Sequence, residues 1–153
     1  MGSSANSYTS VGSYPHQELL RLAGALSTAT GIEPGALMLE FADTVFALFL
    51  RRYKPMIDGA SSCFAFLEGI ERHIHVEVRK LYPDAELPHF DYPSRAAEVL
   101  VMDYRSPRPM ASFAEGLVRA AIRHYGEPIA MTVEDQSQGA GTAARFTLTR
   151  QSP

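Results

Sequence analysis

The stretch Leu67-Glu68-Gly69-Ile70-Glu71-Arg72-His73-Ile74-His75-Val76-Glu77-Val78-Arg79-Lys80-Leu81-Tyr82-Pro83 divides the chain into two kinds of hydrophobic pattern. Up to Leu81 the apolar residues Leu67, Ile70, Ile74, Val78 and Leu81 recur every three or four positions, which is the buried stripe of a helix, and the spacing predicts one helix from about Ser61 to Leu81. After Tyr82-Pro83 that period is lost. Leu87 to Ser94 is rich in prolines and turn formers, and Glu98 to Arg105 alternates with a period of two, as a half-buried strand does.

The same rule extends in both directions. Towards the N-terminus, a helix is expected from Pro34 to about Tyr53, with Leu37, Phe41, Val45, Leu48 and Phe49 on one face and Pro55 ending it. Another is expected from Pro15, capped by Ser13, through Leu19, Leu22, Ala23 and Leu26 to Gly31. Towards the C-terminus, Ser112 can cap a helix from Phe113 to Tyr125 that stops at Gly126. Strands at Pro128–Glu134 and Ala143–Thr149 follow, joined by the polar turn Gln136-Ser137-Gln138-Gly139-Ala140-Gly141. Helices first and an antiparallel sheet with one packed helix later make the fold class α+β. Residues 1–13 are expected to be a disordered or expression-derived tail, and 14–150 a single domain.

Composition bounds the function. With 153 residues, 46% hydrophobic and 20% charged, the chain can bury roughly 70% of its unfolded surface. A net charge of -3 gives no footprint for nucleic acid. The most apolar window, Ala36 to Leu50, is broken by Glu40 and Asp43 and is shorter than the roughly 20 residues of a membrane span, so no membrane association is expected. The single cysteine, Cys63, excludes an internal disulfide and a Cys-rich zinc site and fits a cytoplasmic location. No Gly-rich phosphate loop, nucleophile elbow, HExxH or convincing carboxylate pair argues for an enzyme.

On an ideal helix His73 and His75 lie about 200° apart, on opposite borders of the apolar stripe, so they cannot share a metal ion. His75 is placed half-buried beside Phe64 and Tyr82 in angular terms, where it can be an axial ligand to a flat apolar cofactor or a hydrogen-bonded structural residue. His16, His89 and His124 have no partners at informative spacing and read as surface or rim residues. Tyr104, Ser106 and Arg108 take alternate positions at a strand end. Their donors can converge on carboxylates such as the two propionates of haem, or simply bond locally along a polar strand edge.

Taken in order, these residues resemble the haem-nitric oxide/oxygen binding (H-NOX) family, the sensor module also found in soluble guanylate cyclases. The similarity runs from Tyr14-Pro15-His16-Gln17-Glu18-Leu19-Leu20 to the last strand near Phe146, and includes Glu115-Gly116-Leu117-Val118 and Tyr125-Gly126-Glu127-Pro128. The resemblance implies haem b with His75 as its proximal iron ligand, Pro88 pressing on the macrocycle, and Tyr104, Ser106 and Arg108 clamping the propionates. Nitric oxide is the implied ligand, with weakening of the His–iron bond as the signal. Phe113 stands where oxygen-binding members carry a distal tyrosine; lacking a donor, it implies selectivity for nitric oxide over oxygen.

The implied partner is a separate histidine kinase or cyclic-dinucleotide enzyme. Members of the family begin with further helices ahead of the Tyr-Pro segment, and this chain has little before Tyr14, so an N-terminally truncated domain is expected. Its open haem face would need cover, for which a homodimer is one arrangement. The alternative is a haem-free module for interaction or dimerisation, or one that takes another amphipathic carboxylate through Arg108.

Overall fold

The computed structural model describes residues 25–81, 83 and 87–151. The expected tail at 1–13, the start of the first helix with Ser13, Tyr14, Pro15 and His16, and Tyr82 lie outside the described residues. Residues 25–30 are helical, and Gly31 follows with φ 78°.

Helix α1 spans Pro34–Arg52, close to expectation, with Pro in its first turn and Arg51 and Arg52 in its last. Basic side chains at that end complement the partial negative charge of the unpaired carbonyls. Pro55 does not simply end the helical run as expected. The chain re-enters a short helix α2, Lys54–Asp58, with the proline in its first turn, where its missing N–H costs nothing.

The expected single helix from Ser61 to Leu81 is three pieces: α3, Cys63–Glu68; a π-helical turn, Ile70–Ile74; and α4, His75–Leu81. The Ser62 hydroxyl accepts from the Ala65 N–H at 3.1 Å and caps α3. Gly69 then closes α3, and its carbonyl takes the N–H of His73 at 2.7 Å and also that of Ile74 at 3.4 Å. This shared acceptor widens the turn. A period of 3.6 cannot register such an insertion, which is why the apolar spacing alone reads as continuous.

After Leu81 comes a strand that the proline-rich sequence conceals. β1, His89–Arg95, pairs antiparallel with β2, Val99–Arg105, and the register slips between Asp91 and Ser94. Tyr92 and Pro93 occupy that bulge. The irregularity accommodates a proline on an edge strand and destroys the alternation by which a strand is recognised. Helix α5, Ala111–Tyr125, begins before the expected Phe113, with Met110 as its cap residue; Ser112 lies inside the first turn and makes no cap. Its end is as expected, since Gly126 adopts φ 67° and donates its N–H to Ile122 and Arg123 carbonyls. β3, Ile129–Asp135, and β4, Ala143–Arg150, complete a four-stranded antiparallel sheet of order β1-β2-β4-β3.

The inner face of the sheet carries Leu100, Met102 and Tyr104 from β2, Ala144, Phe146 and Leu148 from β4, and Phe90 from β1. These pack with Ala114, Val118 and Ala121 of α5 and with Cys63, Phe64 and Leu67 of α3 in one core. A second cluster joins Tyr53 and Ile74 with Phe49, Phe66, Ile70 and Leu87, and so seats the π turn against the C-terminal end of α1. Among the described residues no helix is long and apolar enough to cross a membrane.

Candidate functional site

His75 begins α4 directly after the π turn. It is 6% exposed and, tyrosines and the cysteine aside, the one buried polar or charged residue among the described residues. It is thus more deeply placed than the half-buried border position expected from an ideal helix, because the widened turn leaves Ile74 and His75 both facing inward. His73 is exposed and lines a groove of about 270 Å³ with Ala65, Glu68, Gly69 and Arg72. The two histidines therefore share no site, as expected.

The His75 ring lies 6.2 Å, centroid to centroid, from Phe90 of β1, and Phe90 stands 5.8 Å from its cross-strand partner Tyr104 in an edge-on arrangement. Three elements thus bring an imidazole, a phenyl ring and a phenol together. Burial holds the His75 pKa below the ordinary histidine value, with the Glu71 carboxylate opposing that shift and Arg79 and His89 adding to it. Its Nδ1 is 2.6 Å from Glu71 Oε1, while Glu71 Oε2 lies 3.0 Å from His89 Nδ1. His89 Nε2 is in turn 2.9 Å from Asp91 Oδ1, and Arg105 approaches the other Asp91 oxygen at 3.5 Å. His89 is thus exposed, as a surface or rim residue is expected to be, and is partnered there by Glu71 and Asp91. A Glu at four positions before a helical histidine is a legible contact spacing; the pairing of Glu71 with β1 is not local and left no sequence signal.

Tyr104 is buried at the end of β2, and burial raises its pKa. The Ser106 side chain and the Met110 backbone lie in hydrogen-bonding reach of its hydroxyl and offset part of that rise. Ser106 and Arg108 follow the strand, which ends at Arg105, so the three do not continue one alternating face as expected. A turn brings them together instead: the Arg108 N–H donates to Ser106 Oγ at 3.1 Å. Arg108 makes a further polar interaction of its own and is half-buried. Pro88 is half-buried immediately before β1, one residue from His89. Phe113 sits apart from this group, in the first turn of α5, with its ring 5.8 Å from Phe41 of α1.

Among the described residues no group of three or more His, Cys, Asp or Glu is placed to hold a metal ion. A haem needs only one axial side chain from the protein. The donor set fits that group. Burial favours the neutral imidazole, and among the described residues its Nε2 makes no hydrogen bond, while the Tyr104 and Ser106 hydroxyls lie together at the end of β2, with Arg108 two residues further on.

The profile of the family described as Haem-NO-binding matches residues 1–133. The chain belongs to the H-NOX family. Among solved structures, an H-NOX protein from K. algicida in the Fe(II) unliganded state superposes with a TM-score of 0.84 at 32% identity, over 92% of this chain and 75% of that one. The H-NOX of Shewanella woodyi in the Fe(II)CO state is 35% identical with a TM-score of 0.76, over 93% and 75%. An H-NOX protein from S. oneidensis in the Fe(II)NO state has a TM-score of 0.82 at 22% identity, over 91% and 77%, and supports the fold. No curated protein matches the chain. For this H-NOX chain the α+β expectation is met, and haem, gas sensing and signal transduction are the properties of its family.

Proposed function

We propose that this H-NOX domain holds haem b through His75 and senses nitric oxide. The observation that carries the reading is the buried imidazole of His75, whose Nε2 is unengaged among the described residues and which sits beside Phe90, itself against Tyr104. When bound, haem supplies a ferrous iron able to take a diatomic gas. The chain supplies the rest. His75 would hold the iron through a ring nitrogen, and Phe90 gives that ring an apolar wall. Tyr104, Ser106 and Arg108 provide two hydroxyls and a guanidinium for the propionates, the first of them held by its own partners before any ligand arrives. Pro88, half-buried at the entry to β1, would pack against a bound haem. Phe113 offers a phenyl ring and no donor, which favours nitric oxide over oxygen, the ligand that depends more on a hydrogen bond.

A gas can shift the protein only by as much as the haem states differ in their interaction with His75 and its surroundings. That difference is passed to a separate effector, for which a histidine kinase or a cyclic-dinucleotide enzyme is the proposed class. The test is optical: reconstitute with haem, reduce, and record spectra with nitric oxide and with oxygen for the native chain and His75→Ala. Loss or rearrangement of the ferrous spectrum in the variant supports the reading. Identical spectra remove His75 as ligand, and a stable oxygen complex removes the selectivity.

A further inference from the structure

We propose that Glu71 is the positioning residue for His75. Its carboxylate holds the imidazole in the tautomer protonated at Nδ1, so that Nε2 is the atom presented to iron, and His89 with Asp91 braces that carboxylate from β1. The inference rests on His75 being the axial ligand. A carboxylate only accepts, so its 2.6 Å approach to Nδ1 requires the ring proton to be there. In a neutral imidazole the other nitrogen then carries the lone pair, and among the described residues nothing bonds to it. A carboxylate behind a ligating histidine both fixes the ring and makes it a stronger donor.

The surroundings separate this contact from an ordinary ion pair between neighbours on a helix. The histidine is buried, with its side chain 8% exposed, so the ring cannot exchange its partner for water as surface pairs do. The second Glu71 oxygen meets β1, with Oε2 3.0 Å from His89 Nδ1 and His89 Nε2 2.9 Å from Asp91, although this outer pair is half exposed. The Glu71 backbone is fixed as well. The Tyr92 hydroxyl of β1 donates to the Leu67 carbonyl at 2.7 Å, just ahead of the π turn, and also meets the Glu71 backbone. β1 therefore grips the turn that carries Glu71 at two places, and the same strand begins one residue after Pro88.

The test starts on the haem-free chain, where nitrogen-15 long-range correlation spectra report the protonation of each ring nitrogen of His75. The native protein is expected to show a protonated Nδ1 and a bare Nε2. Glu71→Gln, whose amide oxygen still accepts, keeps that tautomer, whereas Glu71→Ala moves the proton towards Nε2. In the ferrous haem-loaded protein the iron–histidine stretching frequency falls in Glu71→Gln and further in Glu71→Ala, with haem affinity lowered about 10–100-fold in the latter. A purely structural Glu71 would alter melting temperature and leave tautomer and stretching frequency unchanged. A native Nε2–H tautomer, or an unchanged tautomer in a folded Glu71→Ala, overturns the proposal. If the alanine variant fails to fold, an unchanged stretching frequency in Glu71→Gln does so. His75→Ala with an unaltered haem spectrum removes instead the ligand reading beneath it, and the tautomer measured without haem still stands.

Discussion

Cys63 shows how far position decides what a side chain can do. Its thiol is fully buried at the start of α3, and its pKa is pushed up to about 12 by burial and by the Glu127 carboxylate, with Arg150 opposing. Since the thiolate is the reactive form, a maleimide at about pH 8 should leave the native protein unlabelled and modify it once denaturant opens the core. Rapid native labelling would contradict the burial. Tyr92 is the complementary case. Its hydroxyl reaches Leu67 across the core boundary, and Tyr92→Phe should lower unfolding free energy by about 1 kcal/mol in denaturant titrations. The same contrast explains which candidate site residues were legible. His75 stood out by its place at the border of an apolar stripe, and Tyr104, Ser106 and Arg108 by their order along the chain. His89 and Asp91 did not, because their contact with Glu71 is made between a helix and a strand.

Between helices, α1 and α5 meet where Gly116 allows their backbones to approach. A methyl group there would stand 2.5 Å from the Ala42 Cβ and 3.0 Å from the Leu39 carbonyl oxygen. Alanine gains about 1 kcal/mol in helix propensity. That gain is outweighed, because neither neighbour is the free end of a flexible side chain and overpacking costs about 1–3 kcal/mol. Gly116→Ala should therefore lower the thermal midpoint, and a midpoint equal to or above the native one would show that the helices can separate without loss.

Between strands, Arg145 of β4 forms two hydrogen bonds of 2.8 Å with its register partner Asp103 of β2. These hold the Asp103 carboxyl below the usual carboxylate range, hydrogen bonding to Arg145 being the main cause and partial burial opposing it. A depressed carboxylate stabilises the fold fully above its ordinary value of 3.8 and ceases to do so as pH falls through the lowered folded value. Asp103→Asn should thus be less stable than the native chain at neutral pH and converge with it in acid melts. β2 was readable from its alternation, and β3 and β4 as the strands flanking the polar turn from Gln136 to Gly141. β1 and the π turn were not, since one is bulged at Tyr92-Pro93 and the other adds a residue to a helical period, and both departures are the local geometry that carries His75 and His89 to one place.

Across the chain as a whole, these parts meet at the edge of the main core. His75 sits on the π turn and α4, Phe90 on β1 and Tyr104 on β2, so a ligand that engages them together binds the folded state and has no equivalent site in the unfolded chain. Mass action then makes haem a stabiliser: at free haem 100 times the dissociation constant the gain is about 2.7 kcal/mol, and a domain of this size should melt about 5–10 °C higher. Each variant needs its own haem-free control, because His75→Ala also strips the Glu71 carboxylate of a partner and lowers the starting stability. Measured as the difference between haem-loaded and haem-free melts, the gain should shrink strongly in His75→Ala and partly in Arg108→Ala if the proposed roles hold, since iron ligation by one and carboxylate binding by the other would contribute separately. Equal gains in all three proteins would mean that haem binds through surface apolar contact, and would remove the cluster of His75, Phe90 and Tyr104 as its site.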